Sequence, residues 1–151
     1  MARSTSWLIG VVAVVAALAV VAVVVATMSG ETELEDGTPE AAVQAYLRAV
    51  ADRDSEAAYA WFSSELRERC SVANVRDALQ YGPPDFRAAL GDVITRDGTT
   101  DVFVDVTQRY EGDLLGSESS FSQVFSLTQE DGAWRFVDDP WPVWCPVEPL
   151  R

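Results

Sequence analysis

Hydrophobic and polar positions fall into three regimes along the chain. From Trp7 to Met28 the residues are almost wholly Val, Ala, Leu and Ile, and no charge appears between Ser4 and Gly30. After Gly37, apolar positions recur at helical spacing: Val43, Tyr46, Leu47 and Val50 lie at i, i+3, i+4 and i+7, one stripe of a helix. From Thr99 onward the period drops to two. Val102, Val104 and Val106 point one way, and Asp101, Phe103, Asp105 and Thr107 the other.

The first regime predicts a transmembrane helix over 7–28. About 22 residues rising 1.5 Å each reach about 33 Å, enough for a hydrocarbon layer of about 30 Å. Trp7 suits the interfacial belt, Arg3 precedes the span, and Glu31, Glu33, Glu35 and Asp36 follow it. The positive-inside bias therefore keeps residues 1–6 in the cytoplasm and exports the rest. A cleaved signal peptide is the competing reading. Its apolar core would be shorter, about 7 to 15 residues, and cleavage after Ala17-Leu18-Ala19 would leave an apolar stub. Residues 29–37 read as an acidic tether.

In the second regime, Thr38-Pro39-Glu40 predicts a helix start: an N-cap, a proline in the first turn, and an acid at the positive end of the dipole. That helix should stop near Asp52-Arg53. Asp54 or Ser55 caps a shorter one through about Phe62, with Ala57, Ala58, Trp61 and Phe62 as its apolar face. Glu65 to Arg69 reads as another helical turn. Ser71 caps a further helix carrying Val72, Val75 and Leu79, which Pro83-Pro84 ends.

The third regime holds two Asp-Gly hairpin signals. Asp97-Gly98 joins the run 89–95 to Thr99–Tyr110, and Asp131-Gly132 joins 120–129 to 133–137. Phe121, Gln123, Phe125 and Leu127 share one face, as do Trp134 and Phe136. Residues 112–119 form the longer loop. Helices first and then an antiparallel sheet of about four strands make an α+β chain.

Charge then narrows the function. Ten arginines beyond Gly30 face all 24 acidic residues, so the domain repels phosphate backbones and nucleic acid is not its partner. There is no His and no Lys, which removes Ser-His-Asp and Cys-His catalysis and the commonest metal ligand. No motif calls for a cofactor, and Asp138-Asp139 has no calcium-loop spacing.

Three groups remain as candidates. Cys70 and Cys145 are the only cysteines, and outside the cytoplasm an even pair predicts a disulfide. Trp141-Pro142-Val143-Trp144-Cys145-Pro146 reads either as a docking surface for a partner or as a tail folded across the sheet. The candidate pocket residues are Tyr46, Tyr59, Trp61, Asp105 and Tyr110. Asp105 with Tyr46 or Tyr59 would supply a base and a hydrogen-bond donor for proton transfer, whereas a solvated strand face would leave Asp105 inert.

Three stretches resemble the NTF2-like (cystatin-like cone) superfamily: TPEAAVQAYLRAVADRDSEAAYAWFSSELRERC, TDVFVDVTQRY and SFSQVFSLTQEDGAWRFVDDP. They look like the first helices, a long central strand and the terminal hairpin of such domains. The resemblance implies about three helices closing one side of a bent sheet over residues 38–148. It is closest to small membrane-anchored members of bacterial envelopes. The superfamily includes ketosteroid isomerases and dehydratases, but none of their motifs matches here residue by residue. Some accessory proteins of mycobacterial lipid-import systems share the layout. Three functions follow as expectations: a non-catalytic envelope module for a protein partner or small apolar ligand, an isomerase or dehydratase using an Asp-Tyr pair, and an accessory subunit of an envelope transport complex. A homodimer through the sheet is a further partner that the resemblance implies.

Overall fold

The computed structural model describes residues 34–82, 85–110 and 117–145, without the side chain of Tyr110. The predicted span 7–28 and residues 1–6 lie outside them, as does most of the tether. Among the described residues no helix is long and apolar enough to cross a membrane.

Among the described residues four short helices precede the sheet: α1 (Pro39–Ala51), α2 (Ser55–Tyr59), α3 (Ser64–Arg69) and α4 (Val72–Gln80). Each begins where a side-chain oxygen meets a free backbone N–H. Thr38, Asp54, Ser63 and Ser71 accept from Ala41, Ala57, Leu66 and Asn74. At α4 the exchange is reciprocal, since the Asn74 side chain accepts from the Ser71 backbone at 2.8 Å. The N-terminal end of α3 also receives the Glu130 carboxylate, which accepts from the Ser64 N–H at 3.1 Å and the Ser64 hydroxyl at 3.0 Å.

The second helix ends at Tyr59, short of the Phe62 expected from its apolar face. Residues 61–63 leave the helix to pair with the last strand. The Phe136 N–H donates to Trp61 O and the Ser63 N–H to Phe136 O, both at 2.9 Å. A long-range pairing thus overrides the local pattern.

The sheet runs β1 (Asp85–Arg96), β2 (Thr99–Tyr110), β3 (Ser117–Glu130) and β4 (Ala133–Phe136), antiparallel and in sequence order. Both hairpins turn through left-handed residues, Asp97 and Gly98 at φ 50° and 84° and Asp131 and Gly132 at 52° and 78°. The first strand starts four residues before the predicted run. It is an edge strand exposed along most of its length, and its register slips between Leu90 and Val93. This bulge keeps Leu90 and Val93 on one face although they are three apart, which hides the two-residue period. The third strand likewise starts at Ser117 instead of Ser120, because Ser117–Ser120 pair with β2 but are exposed.

The core lies between α1 and the concave face of the sheet. Val43, Tyr46, Leu47 and Val50 are all buried, as are Val102, Val104, Val106, Phe125, Leu127 and Phe136 opposite them. Each such side chain contributes about 1.5–3 kcal/mol by leaving water. Tyr46 stands at the centre, its ring centroid 4.8 Å from Phe136, 6.1 Å from Phe125 and 6.5 Å from Phe62.

Candidate functional site

The space between helices and sheet is the interior of the domain. Along β2 the residues facing it are Val102, Val104 and Val106. Phe86 on β1 pairs with Gln108, and Phe121 on β3 with Val106, so both aromatics flank the same face. The tail enters this space directly after β4. Pro140, Trp141, Pro142 and Val143 are buried, and Val143 is 0% exposed.

Three contacts seat the tail. The Trp141 ring stands edge-on to Phe86 at 5.1 Å and to Phe121 at 5.8 Å, bridging β1 and β3 across β2. Pro140 O accepts the Tyr46 hydroxyl at 3.0 Å and the Val143 N–H at 2.9 Å. Burial holds the Tyr46 phenol well above its ordinary pKa, so it stays neutral and donates. At the far end Cys145 is bonded to Cys70, with Cα atoms 5.1 Å apart. The predicted disulfide is present and ties the tail to the chain between α3 and α4. Asp139 braces the join: one oxygen takes the Arg69 guanidinium and the other accepts the Cys145 N–H at 2.9 Å.

The two readings of the Trp-Pro string therefore divide between its residues. Trp141 is 8% exposed and belongs to the interior, whereas Trp144 is 74% exposed and faces outward. What the sequence did not reveal is the Arg69–Asp139 brace and the depth of the tail. Pro140 to Val143 are all buried and Trp144 is not, so no regular period announced the tail's depth.

The structure does not assemble the pair of Asp105 with Tyr46 or Tyr59. Asp105 sits between Val104 and Val106, and strand alternation turns it to the opposite face, where it is exposed and accepts the Ser122 hydroxyl. Tyr59 and Trp61 are half-buried near the α2 end. The Tyr59 ring lies 5.4 Å from Phe62 and under the Arg67 guanidinium at 5.2 Å, and the Arg135 guanidinium is 6.0 Å from the Trp61 ring. Tyr110 ends β2 opposite Ser117, and its side chain lies outside the described residues. Of the candidate pocket residues, Tyr46 alone reaches the cone interior among those described.

The convex face of the sheet is a ladder of satisfied polar pairs. Asp101 accepts from Ser126 at 2.8 Å, Thr107 and Ser120 share a hydrogen bond of 2.9 Å, and Arg109 donates to Glu118 at 2.9 Å. The Arg109 hydrogen bond and charge hold the Glu118 carboxyl below its ordinary pKa. Two openings border this end. A cavity of about 90 Å³ lies between Val50, Leu79, Phe86 and Pro142, with Arg53 and Asp85 at its rim. A shallower groove of about 240 Å³ follows Arg87, Thr107, Arg109 and Glu118. Among the described residues no three metal-ligating side chains cluster, and no buried side-chain polar atom lacks a partner.

No family model matches the chain, and no curated protein matches it. Solved structures do. A SEC-C motif containing protein from Rhodopseudomonas palustris aligns at TM-score 0.56 and 18% identity, over 68% of this chain and 77% of that one. A candidate calcium/calmodulin-dependent protein kinase type II association domain from Thiobacillus denitrificans aligns at TM-score 0.55 and 18% identity, over 66% and 90%. A ketosteroid isomerase-like protein from Erwinia carotovora atroseptica aligns at TM-score 0.50 and 17% identity, over 64% and 86%. At these identities the likeness establishes the fold and carries none of these proteins' activities. The four-stranded antiparallel sheet closed on one side by short helices shares the fold of the ketosteroid isomerase-like protein and is consistent with an NTF2-like cone.

Proposed function

We propose that the chain is a single-pass membrane protein whose NTF2-like domain stands outside the cytoplasm and binds, without catalysis, a protein partner or a small apolar ligand. The observation that carries the binding half is the lining of the cone. The buried part of its concave face is mainly valines, phenylalanines and Leu127, with Thr100, Gln108 and Gln123 on the same face and one phenol already committed to Pro140 O. Among the described residues the buried side chains facing that space include no carboxylate, and Asp85 stands at the rim of the neighbouring cavity. The anchored half rests on the charge-free stretch 7–28 and on the acids that follow it. An oxidised Cys70–Cys145 pair is consistent with export.

The isomerase or dehydratase reading loses its Asp-Tyr pair, since Asp105 and Tyr46 occupy opposite faces of the sheet. The accessory-subunit reading is a narrower form of the same proposal and differs only in the identity of the partner. A homodimer would use the convex face, whose ladder of pairs is interrupted by the apolar couple Phe103–Val124.

Two measurements test this. A reporter active only outside the cytoplasm, fused after Arg151, should be active in cells. The full chain purified in mild detergent should then retain a reproducible membrane partner, or take up an apolar ligand once Cys70–Cys145 is reduced. A cytosolic reporter overturns the export. Turnover of a substrate that is lost on changing one cone-lining residue overturns the non-catalytic reading.

A further inference from the structure

The segment Pro140–Cys145 occupies the place where the cone would hold a ligand. With it in position, the cavity beside Phe86 and Pro142 is about 90 Å³, and the groove that Phe86 also lines towards Arg87 and Glu118 is about 240 Å³. Small-molecule sites run to about 300–1,000 Å³, so neither space is large enough for one. What fills the rest is the tail itself: a flat indole standing edge-on to two phenylalanines, and a valine with no exposed surface. Tail and sheet side chains are both apolar here, and Pro140 O is satisfied from α1 and from the tail's own turn.

We propose that this segment is a built-in occupant of the cone, and that the slot under Trp141 accepts a small, flat, aromatic ligand once the tail is released from Cys70. The inference rests on the binding-module reading and adds to it a ligand class and a control. The ligand class follows from the occupant. The Trp141 indole shows which ring shape Phe86 and Phe121 grip, and the neighbouring cavity, which shares Phe86, extends the slot towards Arg53 and Asp85.

The control follows from the covalent bond. A tail fixed at β4 on one side and at Cys70 on the other competes as a tethered ligand, at an effective concentration of order millimolar or above. A free aromatic cannot displace it at ordinary concentrations. Opening the bond removes one tether and lets Trp141 exchange out. A dithiol reductant would do this by ordinary exchange. Its thiolate attacks the sulfur of Cys145, and Cys70 leaves as thiolate and takes a proton. The second thiol of the reductant then displaces Cys145, leaving two protein thiols and an oxidised reductant. Cys70 is 1% exposed and Cys145 6%, so the exchange waits on local opening of the tail.

The test uses the full chain in non-ionic detergent micelles with 5-fluoroindole as the probe, read by fluorine NMR. Amide hydrogen exchange of Val143 reports whether the tail is seated. The oxidised protein should bind no more probe than empty micelles do. The double variant C70S/C145S, with Trp141 intact, should bind at least tenfold more tightly than the oxidised protein and lose Val143 protection as probe is added. W141A with the bond intact should also bind. If W141A binds while C70S/C145S keeps Val143 protected and binds like the oxidised protein, the slot is merely an engineered cavity and the exchange idea fails. Equal binding by oxidised protein and variants also overturns it. Should C70S/C145S not fold, a folded W141A that ignores the probe is sufficient to overturn it. An exported domain that co-purifies with a membrane partner yet fails these arms would keep its proposed function and lose only this control.

Discussion

Tyr46 joins three parts of the molecule through one side chain: its ring meets the sheet at Phe125 and Phe136, its helix is α1, and its hydroxyl reaches the tail at Pro140 O. Replacing it with Phe keeps the ring and removes the hydrogen bond. Pro140 O still accepts from Val143, so no buried acceptor is orphaned and the cost should be near the low end, about 1 kcal/mol in urea denaturation. The same phenol sets a pH limit. Its folded pKa is raised, so folding is indifferent to it below the unfolded phenol value of 10.0 and loses stability as pH climbs above that value. The loss approaches about 1.4 kcal/mol per pH unit for this one proton. Y46F should flatten that alkaline limb in denaturation curves taken between pH 9 and 11; an unchanged limb would assign it to other groups.

At the scale of elements, the strongest local dependence is at the turns and at the tail. Gly98 sits at φ 84° with nothing within 4 Å of an added Cβ, so G98A adds backbone strain without collision and should cost about 1 kcal/mol. The tail closes a loop of 75 residues in sequence, for which the chain-entropy model gives at most about 4.5 kcal/mol. C70S/C145S should therefore unfold at lower denaturant by up to that amount. A shift under about 1 kcal/mol would mean that Trp141 and the Arg69–Asp139 brace hold the tail unaided. The elements legible from sequence were those whose signals are local: the caps at Thr38, Asp54 and Ser71, and both Asp-Gly turns. The illegible ones depend on distant partners. Residues 61–63 leave α2 because β4 offers hydrogen bonds, and β1 loses its alternation to a bulge that only its partner strand defines. For the site, alternation alone separated Asp105 from Val104 and Val106. Deciding which of the two faces the helices cover required the packing of Tyr46.

For the whole molecule the dominant long-range term is self-repulsion. With 24 acidic residues against 11 basic, the compact state concentrates negative charge that the unfolded chain would spread. Raising salt from 10 to 150 mM shortens the screening length from about 30 to about 8 Å. The thermal midpoint should rise across that range, and a flat response would show that local pairs such as Arg109–Glu118 already offset the repulsion. The α+β class could be read from the order of helical and alternating stretches, because fold class depends on pattern, whereas the cone came from the resemblance alone. The occupied interior could not be read, since a tail of two prolines and two tryptophans matches no regular period.

The opposed placement of Trp141 and Trp144 gives the protein an optical gauge of its own state. Only two residues separate an indole sealed among phenylalanines from one that water reaches, and the second adjoins a disulfide, an efficient quencher of excited indoles. Acrylamide should extinguish the emission of one and spare the other. Severing the sulfur link should brighten the outer one, and withdrawal of the inner one should redden the spectrum, so with Trp7, Trp61 and Trp134 replaced by Phe, light alone can follow the tail in and out.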